Sequence, residues 1–235
     1  MKKIKIGLLG ASGKMGTSIR KSLDSKYFTP FLAVSSKSCD EFAFTVASLK
    51  NVEEEILDQV DVWVDFSSPE RLQELLQLTK KTPIVTGTTG TSEGQFKKIK
   101  AAAKKRPLFW ASNMSVGVWA LRQAIKSLGL VKDFDFKVEE IHHTQKKDNP
   151  GGTAKTLRND LEKIVNKKVT LPLGKRVGHV FGIHKVTAAS KSETMTFEHT
   201  ALNREVFAEG ALKAARWIVN KKHGYYSMDN LQETK

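Results

Sequence analysis

The stretch Ile4–Gly16, IKIGLLGASGKMG, decides how the first half of the chain folds. Its first six residues are an apolar run that predicts a short buried strand. Three glycines follow within seven residues, and apolar side chains then recur at helical spacing from Ile19. A strand, a glycine turn and a helix in this order can aim the N-terminus of the helix at a bound phosphate group. An ordinary tight turn between a strand and a helix is the alternative.

Strands and helices continue to alternate up to residue 114. Apolar runs predict further strands at residues 31–34, 60–66, 83–85 and 107–111. Ser68 before Pro69, and Ser92 with Gln95, are start signals for two of the helices between them. The alternation predicts an α/β fold with a doubly wound parallel sheet, whose ligand-binding loops lie at the carboxyl ends of the strands.

The loops after the first two strands suggest a dinucleotide with a 2′-phosphate. Ser12 replaces the second glycine of the common G-x-G-x-x-G pattern, but the turn and the helix N-terminus remain. The second strand of such folds usually ends in a carboxylate that binds the ribose 2′-hydroxyl. Here Ser36 and Lys37 stand at that place, and Lys37 together with Lys14 could neutralise a phosphate. We therefore expect NADPH to be preferred, with NADH possible. The alternative is a loop of serines and a solvated lysine.

Titratable side chains are densest in Glu140–Ala154, EIHHTQKKDNPGGTA. Histidine is the side chain best suited to moving protons near neutral pH. Glycine amides at the start of a helix are suited to gripping a carboxylate. The segment therefore indicates a site that binds a molecule through its carboxylate group and transfers a proton to it. A basic surface loop with chance histidines is the alternative.

The sequence around this segment predicts a second set of strands and a helix. Alternating residues from Phe134 predict a strand that ends at His142 and His143, which should point to opposite sides. Thr153 is expected to cap a helix whose apolar stripe is Ala154, Leu157, Leu161 and Ile164. Two strands, at 180–188 and 195–199, and a helix from 205 to about 220 complete the chain. We interpret His199 as structural.

Composition bounds the class of protein. The chain has 235 residues, of which 40% are hydrophobic and 27% charged, as in a globular protein. No apolar run approaches the ~18 residues that a membrane span requires. The net charge of +14 suits an anionic small molecule, and no RNA-binding signature accompanies it, so nucleic acid is not the expected partner. The single cysteine, Cys39, excludes an intrachain disulfide and a cysteine-built zinc site, and we expect a cytoplasmic protein without a bound metal.

Six segments together carry a family likeness. They are GASGKMG at 10–16, GTTG at 87–90, ASNMSVGV at 111–118, EIHHTQKKDNPGGTA at 140–154, REVFAEGALKAARW at 204–217 and GYYSMDNL at 224–231. With these segments the chain resembles the 4-hydroxy-tetrahydrodipicolinate reductase family, long called dihydrodipicolinate reductases. The likeness covers most of the chain, and its specific part is the histidine segment.

The resemblance implies a fold, a reaction and roles for residues. The implied fold is a Rossmann-type dinucleotide-binding domain (1–114), a smaller α+β substrate-binding and oligomerisation domain with an open mixed sheet (115–203), and a C-terminal segment that returns to the first domain (204–235). The implied reaction is NAD(P)H-dependent reduction of 4-hydroxy-tetrahydrodipicolinate, a small dicarboxylate, to tetrahydrodipicolinate in diaminopimelate and lysine biosynthesis. Homotetramers are usual in the family.

By this resemblance, His142 is the proton donor and Lys146 the second catalytic group. His143, Gly152 and Thr153 match positions that hold the substrate carboxylates. The implied cofactor contacts are Gly10, Ala11, Ser12, Gly13, Lys14 and Met15 at the pyrophosphate, Gly87, Thr88 and Thr89 beside the nicotinamide, and Ala111, Ser112, Asn113 and Met114 in a closing loop.

The chain departs from the family pattern at three places. Gly151 stands where serine is common, Ser68 stands where some members have arginine, and the region between Leu171 and His184 is shorter. Two other functions remain as alternatives: a different dinucleotide-dependent oxidoreductase that shares the glycine loop, and a catalytically silent regulator that binds NAD(P) or nucleic acid.

Overall fold

The computed structural model describes residues 2–231. The chain divides into two compact units, which are Met1–Met114 with Phe207–Lys235 (unit 1) and Ser115–Val206 (unit 2). Residue 1 of the expected first domain and residues 232–235 of the expected C-terminal segment lie outside the described residues.

A sheet of seven parallel strands forms the centre of unit 1. The strands are β1 (Ile4–Leu9), β2 (Phe28–Val34), β3 (Phe44–Val46), β4 (Val62–Asp65), β5 (Ile84–Thr86), β6 (Pro107–Trp110) and β11 (Gly224–Tyr226). Their order in the sheet is β3-β2-β1-β4-β5-β6-β11. The strand order reverses at the β1/β4 pair, and ligands of open α/β sheets bind in the crevice at such a switch point.

Helices cover both faces of this sheet. They are α1 (Lys14–Lys21), α2 (Glu54–Leu57), α3 (Pro69–Leu78), α4 (Glu93–Ala102) and α7 (Glu205–Ile218). Leu108 belongs to a buried cluster with residues of α3 and α4. The ring of its neighbour Phe109 lies 6.3 Å from that of Trp217 in α7. Because neighbours on a strand point to opposite faces, these contacts identify a doubly wound sheet.

The two predicted helix start signals are confirmed. The hydroxyl of Ser68 accepts the backbone N–H of Arg71 at 3.4 Å, and Pro69 is the first residue of α3. Ser92 and Gln95 form a reciprocal capping box, with bonds of 3.2 Å and 2.8 Å, at the start of α4. Side-chain oxygens here bind N–H groups that have no partner inside the helix.

Unit 2 contains a separate mixed sheet. Its strands are β7 (Asp135–His142), β8 (Leu173–Arg176), β9 (Gly182–Ala189) and β10 (Thr194–Ala201), in the order β10-β9-β7-β8. β8 is parallel to β7, and the other pairs are antiparallel. Helices α5 (Val116–Ala124) and α6 (Gly152–Val165) and a 3-10 turn (Ile125–Leu130) accompany it. The predicted fold class, a doubly wound parallel sheet and a smaller open mixed sheet, is confirmed.

Helix α6 differs from the prediction at its first turn. Gly151 is the N-cap, in extended conformation with φ −71° and ψ 166°, and no side chain caps the helix. The predicted cap at Thr153 is therefore wrong, because the helix begins one residue before it. At the other end of the apolar stripe, Val165 is buried and Ile164 is only partly buried.

Other differences concern short elements and helix ends. Strands β3, β8 and β11 were not predicted, since each has three or four residues and none is buried. Helix α5 ends at Ala124, where the carbonyl accepts the hydroxyl of Ser127 at 2.8 Å and the chain tightens into the 3-10 turn. Across the described residues, the structure has no helix long and apolar enough to cross a membrane.

Candidate active site

The glycine loop after β1 has no space for side chains at two positions. Gly10 has a φ of +86°, and its N–H and that of Ala11 each donate to the carbonyl of Val34 at 3.1 Å. A Cβ at Gly16 would lie 2.2 Å from the carbonyl oxygen of Gly10. Glycine is the residue that tolerates both conditions. The turn thus brings backbone close to the start of α1, where Gly13 is exposed, and this cradle fits the pyrophosphate of a dinucleotide.

The end of β2 meets the same loop. The hydroxyl oxygens of Ser12 and Ser36 are 3.3 Å apart. The hydroxyl of Ser35 accepts the N–H of Lys37 at 3.0 Å and donates to its carbonyl at 2.6 Å, which fixes the backbone of the turn. The side chains of Lys37 and Lys14 are exposed. The structure therefore brings the predicted glycine-loop residues and those after β2 to one place.

A buried carboxylate, which the sequence did not reveal, shapes the next two loops. Asp65 ends β4, is fully buried, and accepts hydrogen bonds from the hydroxyls of Thr86 (2.7 Å) and Thr88 (2.8 Å) and from the backbone N–H of Ser67 (3.0 Å). Burial raises the pKa of Asp65 against the lowering effect of these bonds. Because the hydroxyl of Thr88 is bound to Asp65, a cofactor contact by this predicted residue would use its backbone.

The loop after β6 joins the loop after β5. The N–H of Ala111 donates to the carbonyl of Thr86 at 3.3 Å, and Nε1 of Trp110 donates to the carbonyl of Thr88 at 3.2 Å. Met114 is buried at the far end of this loop. The predicted cofactor residues thus lie on loops that follow the carboxyl ends of β1, β2, β5 and β6, where a doubly wound sheet binds its ligand.

The site of unit 2 is built around Glu140, whose side chain is completely buried. Its Oε1 accepts the N–H of Gly151 at 2.8 Å and Nη2 of Arg176 at 2.9 Å. Its Oε2 lies 3.5 Å from Nδ1 of His142 and 3.9 Å from Nε2 of His184, without a hydrogen bond. Glu140 and His142 are two residues apart on β7 and so share a face of the strand. One buried carboxylate thus faces a cation, a backbone amide and two imidazoles.

Both imidazoles are biased towards their neutral forms. Burial lowers the pKa of His142, and the charges of Lys146 and Arg176 lower it further, while Glu140 opposes them. Burial, with His142 next to it, lowers the pKa of His184 to about 3. The two rings pack edge to face with centroids 5.1 Å apart. One carboxylate oxygen of Glu140 and one ring nitrogen each of His142 and His184 lie within 4.8 Å of one another.

The lysine of the predicted catalytic pair lies at the edge of this cluster. Nζ of Lys146 contacts Oδ1 of Asp148 at 2.6 Å. Partial burial acts to raise the pKa of Asp148, but the hydrogen bond and charge of Lys146 lower it overall. Nε of Arg176 donates to the carbonyl of Lys146 at 3.3 Å, and its Nη2 donates to the carbonyl of Asp148. Arg176 therefore fixes the backbone that carries Lys146.

The start of α6 adjoins the same groups. A Cβ at Gly151 would lie 2.8 Å from Oε2 of Glu140 and 3.0 Å from Cε of Lys146. A serine at this position would therefore require one of those side chains to shift. Gly152 and Thr153 follow in the first turn of α6, so the N-terminus of this helix lies next to Glu140 and Lys146.

The two adjacent histidines differ in burial. His142 is 8% exposed and is the last residue of β7. His143 is partly exposed beyond the strand end, and its carbonyl accepts the N–H of Lys146 at 3.1 Å. The structure thus brings the predicted residues of unit 2 to one end of β7 and the first turn of α6.

Sequence reasoning missed Glu140, Arg176 and His184 as members of this site. A signal for Glu140 was present, because strand alternation places it on the face of His142. His184 lies on β9 opposite Glu140 in the antiparallel register, and Arg176 lies on β8 opposite His142. These pairings join segments more than 30 residues apart, so they needed the sheet itself.

Comparison with known proteins is consistent along the chain. The N-terminal model of dihydrodipicolinate reductase matches residues 4–114, and the C-terminal model matches residues 117–231. A 4-hydroxy-tetrahydrodipicolinate reductase of Bdellovibrio bacteriovorus is 45% identical over 230 residues, which are 97% of this chain and 96% of that protein. One from Nitratiruptor sp. is 32% identical over 249 residues, 97% of this chain and 98% of that protein.

A solved structure shares the fold. The dipicolinate-bound dihydrodipicolinate reductase from Paenisporosarcina sp. TG-14 matches with a TM-score of 0.79 and 20% identity over 97% of this chain and 99% of its own. The two sheets, the loops at their strand ends and the matches over both parts of the sequence agree. The chain belongs to the dihydrodipicolinate reductase family.

Proposed function

We propose that this protein is an NAD(P)H-dependent oxidoreductase that reduces 4-hydroxy-tetrahydrodipicolinate to tetrahydrodipicolinate, with loss of water, in diaminopimelate and lysine biosynthesis. The observation that carries the proposal is the site of unit 2, where a buried histidine, a lysine and the N-terminus of α6 adjoin one another. A proton donor beside groups that bind carboxylates suits the reduction of a cyclic dicarboxylate. The identity to named reductases over nearly the whole chain supports the same reaction.

In this proposal, unit 1 binds the dinucleotide and unit 2 binds the substrate. The backbone at Gly10–Met15 holds the pyrophosphate, and the loops at Gly87–Thr89 and Ala111–Met114 lie against the nicotinamide half. A reduced nicotinamide, when bound, supplies the hydride. The protein supplies position, exclusion of water and the proton.

His142 is the proposed proton donor. In the free protein its pKa is lowered, first by burial and then by Lys146 and Arg176. A bound dianion would act in the opposite direction, since negative charge next to an imidazole favours its protonated form. Substrate binding should therefore favour the protonated form of His142.

Lys146, His143, Gly152 and Thr153 are proposed to hold the two carboxylates. Lys146 is paired with Asp148 in the free protein, so the substrate would compete with that carboxylate for the ammonium group. The backbone N–H groups in the first turn of α6 would add hydrogen-bond donors, and these donors carry no net charge that must lose its hydration.

We propose NADPH as the preferred cofactor. Ser36 and Lys37 are exposed where β2 meets the glycine loop, and Lys14 is exposed at the first residue of α1, directly after that loop. Two ammonium groups at this place would favour a 2′-phosphate by Coulomb attraction. Measuring kcat/KM for NADPH and NADH with one enzyme preparation tests the preference, and a clear advantage of NADH contradicts it.

We also propose that the protein forms a homotetramer and is located in the cytoplasm. The side chains of Lys137, Glu139 and Lys185 lie on the face of the mixed sheet that turns away from the buried cluster of unit 2. Sheets that pack through such faces would join four copies, and charges of both signs could pair across them. Light scattering at micromolar concentration measures the assembly, and a monomer contradicts it.

A coupled assay is the experiment that tests the reaction. The substrate, 4-hydroxy-tetrahydrodipicolinate, is generated enzymatically in the assay mixture, and oxidation of each nicotinamide cofactor is followed by its absorbance. Turnover that requires both the generated substrate and this protein is expected. Oxidation with a different carbonyl or imine substrate alone would favour another oxidoreductase. Binding without any turnover would favour a silent regulator.

A further inference from the structure

We propose that Glu140 is a positioning residue, one carboxylate that holds both the proton donor His142 and the substrate-binding turn at Gly151. This inference rests on the function proposed above and deepens it. Strand alternation places Glu140 on the face of His142, but its partners Gly151 and Arg176 come from the structure.

The first oxygen of Glu140 fixes the turn. Oε1 accepts the N–H of Gly151 at 2.8 Å, immediately before α6 begins at Gly152. The same oxygen accepts Nη2 of Arg176, whose guanidinium also binds the carbonyl groups of Lys146 and Asp148. The carboxylate–guanidinium pair therefore links the start of α6 to the backbone at Lys146 and Asp148.

The second oxygen of Glu140 faces the proton donor. Oε2 is buried without a hydrogen-bond partner, and so is Nδ1 of His142, 3.5 Å away. A small rotation of either side chain would close this gap to a hydrogen bond. Nδ1–H would then donate to Oε2, and the ring would keep its tautomer and orientation with Nε2 free for the reaction. Two buried atoms that face one another without hydrogen-bond partners favour a shorter contact between them when the substrate is bound.

Charges on four elements bear on His142, so the effect of Glu140 must be separated from theirs. The groups that face its ring are Glu140 on β7, Arg176 on β8, His184 on β9, and Lys146 and Asp148 on the loop before α6. Glu140 acts to raise the pKa of His142, while burial and the two cations lower it. Loss of the negative charge at residue 140 would leave Asp148 alone to oppose burial and the two cations, so the pKa of His142 should fall further.

The test is the Glu140→Gln variant, with Glu55→Gln as its matched control. Glu55 is an exposed glutamate of α2 in unit 1, and it belongs neither to the site nor to the mixed sheet. In Glu140→Gln we expect kcat to fall about tenfold or more. The KM for the substrate should rise because the turn at Gly151 loosens, and the KM for the cofactor should not change. The control should keep all three constants.

The pH profile of kcat separates positioning from general damage. A general acid must be protonated, so the rate falls as pH rises above its pKa in the complex. Without Glu140 that fall should begin at lower pH, whereas a loss of stability alone would lower the whole curve without moving it. NMR titration of the ¹⁵N-labelled imidazoles should show the same direction of change at His142 in the absence of substrate.

Folding failure does not remove the test. If Glu140→Gln does not fold because Arg176 is left without its partner, the double variant Glu140→Gln/Arg176→Met removes both members of the pair. It should fold and still lose the Glu140-dependent support of the imidazolium. Because Arg176 itself lowers the pKa of His142, the double variant is compared with Arg176→Met alone.

Three results would overturn the inference. They are wild-type kcat with an unmoved pH profile in Glu140→Gln, an unchanged His142 titration in the same variant, and a tightly bound metal ion in the purified protein that the variant loses. If the wild-type protein has no reductase activity, the proposed function fails instead, and the NMR titration still decides whether Glu140 supports His142.

Discussion

Asp65 and Glu140 are both fully buried carboxylates at or near strand ends, and they are satisfied in opposite ways. Asp65 accepts bonds from neutral hydroxyls and a backbone N–H, which use both of its oxygens. Glu140 binds a guanidinium and an amide through one oxygen and leaves the other unpaired near two imidazoles. A saturated carboxylate fixes loops, and a half-saturated one leaves capacity for a reaction. The difference supports our proposal that the proton donor belongs to the site of unit 2, while Asp65 fixes the loops of unit 1 that are proposed to bind the cofactor.

The largest effect is expected at the two proposed catalytic residues of unit 2. His142→Ala and Lys146→Ala should each lower kcat by about 100-fold or more, because the proton donor or its electrostatic partner is lost. Cofactor binding, measured by fluorescence, should survive. His223→Ala, at an exposed histidine, is the control. Near-normal turnover in both variants would remove the distinction between the two carboxylates.

A large effect on stability is expected from the saturated carboxylate. Asp65→Ala leaves the donors of Ser67, Thr86 and Thr88 unpaired in a dry environment, and should lower the free energy of unfolding by about 2 kcal/mol. Urea unfolding of this variant and of Asp58→Ala, an exposed carboxylate, measures the difference. Equal loss in the two variants would show that the buried network adds nothing.

Acid should destabilise the protein through the imidazole next to Glu140. The pKa of His184 is about 3 in the folded protein and 6.5 for an ordinary histidine. The unfolded chain therefore binds a proton below about pH 6.5 that the folded chain refuses, and stability is lost as pH falls from there towards 3. Below pH 6.5 the slope from this residue approaches about 1.4 kcal/mol per pH unit. In His184→Gln the free energy of unfolding, measured at several pH values between 7 and 4.5, should depend less steeply on pH. An unchanged dependence on pH would contradict this account.

The smallest effect is expected at the exposed edge of unit 1. Lys37→Ala should lower kcat/KM for NADPH about fivefold, since an exposed ion pair contributes little more than about 1 kcal/mol. The value for NADH should not change. Lys81→Ala, at another exposed lysine of the same unit, controls for the loss of net charge. Equal losses with both cofactors would assign Lys37 to the solvated surface.

The sequence predicted what depends on local pattern. The strand–turn–helix at Gly10, the start signals at Ser68 and Ser92 and the alternation of β7 each act within a few residues, and the structure confirms them. Asp65 and Glu140 gain their meaning from partners that lie 11 to 36 residues away along the chain. Such contacts are set by strand order and register, which short-range patterns do not specify.

The cap of α6 was mispredicted for a related reason. A threonine after two glycines is a good local candidate, but the helix starts where the N–H of Gly151 is already bound to Glu140. A long-range acceptor for that N–H thus anchors the chain just before the helix. The strands β3, β8 and β11 were not predicted, because three or four residues that are not buried show too little alternation of apolar and polar side chains.

The last strand of unit 1 has a consequence for how the molecule is made. β11 pairs with β6, so the edge of the seven-stranded sheet is completed by residues synthesised more than 100 positions after their neighbour. A ribosome must translate all of unit 2 before that edge can close. Until then the nascent chain exposes β6 to other chains, a hazard that chaperones and a fast-folding insert would reduce.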